Sequence, residues 1–112
     1  MSNLVSAHAV LDALGDPTRR QIVERLGHGP RPVGALADAL PVGRPAVSKH
    51  LRVLTDAGLV RHTAVGTRHL YSLAPAGRDA VQAWLTEQWG EVLGAFAEHV
   101  ETLEHADQRR SP

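Results

Sequence analysis

Ser48, Lys49 and Arg52 follow Arg44 by four, five and eight positions, so all four share one face of a helix turning about every 3.6 residues. Their chemistry is that of polyanion recognition: guanidinium and ammonium groups hold phosphate oxygens, while a hydroxyl or an ammonium hydrogen-bonds base edges. On this reading Ser48 and Lys49 read base edges, Arg44 and Arg52 clamp phosphates, and Pro45 opens the helix that carries them. His50 lies between the two faces, placed either to touch a phosphate or to support the turn. Arg61, Thr67 and Arg68 extend the candidate DNA-binding set into a β-rich stretch, with His62 and His69 as helpers. A solvated face of a surface helix has the same composition, and the charge distribution decides between the two. Residues 44–69 hold five of the twelve Lys and Arg residues against one acid, Asp56, in a chain of zero formal net charge. Residues 75–112 hold three Arg against seven acids. A basic segment on a neutral chain marks where a polyanion docks.

The elements that must position these groups follow from local patterns. Val47, Leu51 and Leu54 recur at i, i+4 and i+7 opposite the cationic stripe, and Gly58 closes the helix, which predicts a recognition helix over 44–57. A major groove about 12 Å wide admits one such helix. LVRHTAV and RHLYSL, joined by Gly66-Thr67, predict a two-stranded hairpin over 59–73, with an imperfect alternation that leaves its register open. Upstream, a first helix over 4–14 carries Leu4, Ala7, Leu11 and Leu14 and stops at Gly15. Asp16-Pro17 starts a second, PTRRQIVERL, that buries Ile22, Val23 and Leu26. A short extended segment at 31–33 and a short helix, GALADAL, precede the recognition helix.

Pro75 opens a long last helix, expected over 75–104, whose apolar residues outnumber what a small core needs. Trp84, Leu85, Trp89, Leu93, Phe96 and Val100, with Leu4 and Leu11 of the first helix, are therefore assigned to the interface of a C2 homodimer. A small-molecule pocket lined by Trp84, Trp89, Leu93 and Phe96 is the less common fate of such a stripe. Glu98, His99, Glu101 and His105 could supply metal ligands from two subunits, but an acidic solvated helix end explains them better, so no metal is assigned. The domain is expected over 1–108, with residues 109–112 a frayed tail.

Composition excludes several classes. With no cysteine there are no disulfides, thiolate ligands or catalytic thiols. No phosphate-cradling glycine loop, Gly-x-Ser-x-Gly or paired carboxylates support an enzyme, and no cofactor is implied. No run reaches the roughly 20 apolar residues of a membrane span, and the first residues lack a signal-peptide pattern. A cytoplasmic protein without membrane partners is expected.

LGDPTRRQIVERL, LADAL, RPAVSKHLRVLTDAGLV and GTRHLYSL together resemble the ArsR-type winged helix-turn-helix repressors, over roughly residues 10–74. The resemblance implies a mostly α fold with a small β-wing, about five helices plus a two-stranded hairpin, assembled as a C2 homodimer. It also implies a transcriptional repressor on double-stranded DNA, with the recognition helix and wing where the residues themselves put them. The DPTRR opening resembles a branch whose members often lack metal ligands. Where metal-sensing members carry Cys-x-Cys this chain has Ala35-Leu36-Ala37-Asp38, and Asp79 is followed two residues on by Val81 rather than histidine. The releasing signal, small molecule or otherwise, is left open. The readings to be separated are a dimeric repressor on an inverted repeat, a winged-helix module that docks a protein instead of DNA, and a repressor answering a small molecule or an unusual His/Glu metal site.

Overall fold

The computed structural model describes residues 5–110; the side chains of residues 93 and 107–110 lie outside the described residues. The described chain runs α1 (Ala7–Ala13), α2 (Pro17–Leu26), α3 (Val33–Ala39), α4 (Arg44–Asp56), β1 (Val60–Val65), β2 (Arg68–Leu73) and α5 (Pro75–Arg110). It divides into two compact units, Met1–Val81 and Gln82–Pro112.

The first unit holds a three-dimensional arrangement built by local rules. Ser6 caps α1 by accepting the Ala9 N–H (3.3 Å), so this helix starts after the expected position 4. Its buried residues are Val10 and Ala13, Leu14 packs half-buried against the core, and Leu11, assigned to the dimer interface, is exposed. Leu4 itself lies outside the described residues. Asp16 caps α2 through the amides of Thr18 (2.7 Å) and Arg19 (3.1 Å), with Pro17 already holding a helical φ. Ile22 and Leu26 of α2 are buried and Val23 is half-buried.

Val47, Leu51 and Leu54 of α4 complete the core against Val10, Ile22 and Leu36. Each such side chain contributes roughly 1.5–3 kcal/mol by leaving water. The chain leaves α4 at Gly58, whose φ of +84° an L side chain rarely adopts, and a Cβ there would lie 2.6 Å from a methyl of Val5. Gly77, in the first turn of α5, packs equally close: its Cβ would meet the Gly58 carbonyl oxygen at 2.8 Å. The joint between α4, β1 and α5 is thus backbone against backbone.

β1 and β2 pair antiparallel in the register Val60↔Leu73, His62↔Tyr71, Ala64↔His69 and Val65↔Arg68. Only Gly66 and Thr67 remain for the turn, and Gly66 takes φ +65° with no positive φ at Thr67, the pattern of a type II′ hairpin. The expected extended segment at 31–33 shrinks to one residue. Arg31 exchanges backbone hydrogen bonds with Tyr71 (2.9 and 2.8 Å), while Val33 already begins α3.

The second unit consists of the remainder of α5. Leu85, Trp89, Val92, Phe96 and Leu103 fall on its exposed surface, Trp89 at 56% and Phe96 at 66% exposure. Trp84 and Val100 are half-buried. The helix continues to Arg110, so two residues of the expected frayed tail are helical.

Candidate nucleic-acid interface

The inner stripe of α4 locks the helix to the core and thereby turns the opposite stripe to solvent. Pro45, Ser48, Lys49 and Arg52 are all exposed there. The stripe does not stop where the sequence reading stopped it: Thr55 and Asp56, one turn on, continue the same face. Thr55 donates its hydroxyl to the Leu51 carbonyl (2.7 Å).

Between this face and the hairpin lies an open groove of about 640 Å³, lined by Pro45, Ser48, Lys49, Arg52, Thr55, Asp56, His62 and Tyr71. Pairing decides which hairpin residues look into it. Residues paired across a sheet share a face, so His62, Tyr71, Ala64 and His69 share the groove side of the hairpin. Arg61, Thr63, Val65, Arg68, Leu70 and Ser72 share the other. Arg61 confirms this by donating from Nε to the Ser72 hydroxyl oxygen (3.4 Å). The two wing arginines therefore face away from the groove, and Arg68 stands next to Thr67 at the exposed tip.

Arg44 is exposed at the start of α4, and its guanidinium lies against Gly34 of α3, on the site where a side chain there would project. His50 is half-buried and turned to α2, where the Arg19 guanidinium approaches its Nδ1 at 3.5 Å. Arg19 and Arg20 in turn hold the end of α1, donating to the carbonyls of Ala13 (2.6 Å) and Leu14 (2.8 Å). Arg19 also lies 4.0 Å from the Asp16 carboxylate. That carboxyl is held below its ordinary range, chiefly by the Arg19 backbone N–H; partial burial opposes this, and the Thr18 N–H and the charges of His50 and Arg19 assist it.

His62 and Tyr71, with Thr55 and Asp56, line the groove without having been singled out as its walls. Thr55 and Asp56 were legible, since both continue the helical spacing of Ser48 and Arg52. Tyr71 needed the strand register. Elsewhere, His99, Glu101 and His105 are exposed on α5. No three His, Cys, Asp or Glu side chains gather into a metal-holding group among the described residues. Among those residues no helix is long and apolar enough to cross a membrane.

A buried helix-turn-helix with its second helix exposed on one side, followed by a hairpin flanking that helix, defines a winged helix-turn-helix. A family profile described as a helix-turn-helix domain matches residues 14–63. The chain is 47% identical over 102 residues to the HTH-type transcriptional regulator Rv2034 of Mycobacterium tuberculosis, covering 91% of this chain and 95% of that one. Among solved structures it is similar to an ArsR-like transcriptional regulator from Rhodococcus sp. RHA1, at 33% identity and a TM-score of 0.68, covering 82% of this chain and 90% of the other. It is also similar to a homodimeric winged helix-turn-helix DNA-binding domain from Mycobacterium bovis, at 33% identity and a TM-score of 0.59, covering 72% and 73%. The chain belongs to the ArsR family of helix-turn-helix transcriptional regulators, and its class of ligand is DNA.

Proposed function

We propose that this chain is a cytoplasmic homodimeric repressor that seats α4 in the major groove of an inverted-repeat operator. The observation that carries the reading is the groove itself, which places Ser48, Lys49 and Arg52 on one wall and the hairpin on the other. Ser48 and Lys49 reach base edges, Arg52 holds a phosphate, and Pro45 brings the start of α4 close to the duplex. Arg44 serves from above α3 as a second phosphate clamp. The tip residues Thr67 and Arg68, together with Arg61, meet the backbone outside the groove. The homodimer is supported by the exposed apolar stripe of α5, by exposed Leu11 on α1, and by the homodimeric Mycobacterium bovis structure. Two recognition helices related by a two-fold axis require half-sites about 34 Å apart. Repression is the direction that the ArsR resemblance implies.

Fluorescence anisotropy on the chain's own promoter tests the assignment. Lys49→Ala and Arg52→Ala are expected to weaken binding roughly tenfold each and to lower the salt slope by about one. Ser48→Ala changes which bases are preferred while leaving nonspecific affinity in place. Unchanged affinity and slope in both charge variants, or a stable complex with a protein and none with any promoter, overturns the reading.

A further inference from the structure

The recognition helix and the helix before it meet at a contact that lies outside the groove. Gly34 sits in the first turn of α3, and Arg44 opens α4. A Cβ on Gly34 would fall on Nη2 of Arg44, with Cζ 3.3 Å and Nε 3.5 Å away. The three nearest atoms all belong to the guanidinium, so this flat group lies over bare backbone. Any other residue at position 34 would fill the space it occupies.

Packing alone holds the group there. Among the described residues Arg44 makes no hydrogen bond and no ion pair, and Asp38, one turn further along α3, does not pair with it either. All five N–H donors of the guanidinium are therefore left for a ligand. An arginine free in water spreads over many rotamers, and a grip made from it must first order the side chain. Contact with Gly34 places the planar group beforehand and spends none of its donors. A planar fork of donors at the start of a DNA-facing helix suits phosphate oxygens, which it takes two at a time.

We propose that Gly34 is a positioning residue for DNA binding: by lacking a side chain it seats the Arg44 guanidinium where a backbone phosphate is gripped. This rests on the DNA-binding reading and names what sets one of its clamps. The seat also ties α3 to α4, so a phosphate held there fixes both helices of the helix-turn-helix against the duplex. The grip carries no sequence information, since every nucleotide offers the same phosphate.

The test is a double-substitution cycle of Gly34→Ala, Arg44→Ala and the two together. It is read by anisotropy over a range of salt, on the chain's own promoter and on an unrelated duplex. Arg44→Ala should weaken binding to both duplexes about tenfold and lower the salt slope by about one. Gly34→Ala should reproduce most of that loss on both duplexes alike, and add almost nothing once Arg44 is replaced. Gly34 has no positive φ, and a methyl there displaces only the end of a flexible side chain. The melting temperature of Gly34→Ala should therefore match or exceed that of wild type, since alanine suits a helix better than glycine. Arg44→Lys keeps the charge without the flat group and should recover only part of the affinity that Arg44→Ala loses. Wild-type affinity in Gly34→Ala, an equal further loss when it is added to Arg44→Ala, or full recovery by Arg44→Lys overturns the proposal and leaves DNA binding intact. Absence of binding to either duplex by wild type removes the DNA reading and this proposal with it.

Discussion

Asp16 and Arg19 show how much one side chain can organise. Asp16 satisfies two amides at the start of α2, and Arg19 joins the Ala13 carbonyl at the end of α1 to His50 on the recognition helix. The cap was legible because Asp-Pro signals a helix start locally. The Arg19–His50 contact was not, because it spans 31 positions and depends on how two helices cross. Asp16→Ala is expected to lower the melting temperature at neutral pH. Because the folded-state pKa of Asp16 is depressed, its contribution is present above the unfolded carboxyl range near about 4 and is lost as the pH falls through the folded value. Thermal melts of wild type and variant should therefore differ at pH 7 and converge in acid; a gap that persists in acid would assign Asp16 a role unrelated to its charge.

At the scale of elements, α4 separates stability from binding across its two faces. Leu51 is 1% exposed and Arg52, its neighbour in sequence, stands on the groove wall. Leu51→Ala should cost about 2–5 kcal/mol and take DNA binding down with the fold. Arg52→Ala should stay within about 0.5 kcal/mol of wild type and lose affinity only. Denaturant titrations alongside anisotropy distinguish these outcomes. Helix periodicity made both faces of α4 readable, since one stripe needs only the spacing of aliphatic residues. The hairpin was readable as an element but not as a surface. Assigning its faces requires the pairing of His62 with Tyr71, which follows only once the turn is limited to Gly66 and Thr67. Without that register the wing arginines and wing histidines could not be assigned to opposite faces. The burial of Val10 and Ala13 was not legible for a similar reason. A seven-residue α-helix offers two overlapping stripes, and the partners in α2 and α4 choose between them.

For the molecule as a whole, the chain leaves Trp89 and Phe96 in water, which a monomer gains nothing by doing. Trp89→Glu and Phe96→Glu are expected to shift sedimentation from dimer to monomer. Operator affinity should fall roughly a hundredfold as the two half-sites lose their linkage, while a single half-site is still bound as before. Wild-type sedimentation as a monomer would contradict the assembly. The joint at Gly58 and Gly77 carries a different consequence. A Cβ at Gly66 meets nothing within 4 Å, whereas one at Gly58 or Gly77 strikes neighbouring atoms at under 3 Å. The fingertip of the hairpin has room to change, but only through residues that accept the positive φ of Gly66. Its knuckle has no room even for a methyl group, so any side chain at Gly58 or Gly77 would have to change the angle at which the finger leaves the palm.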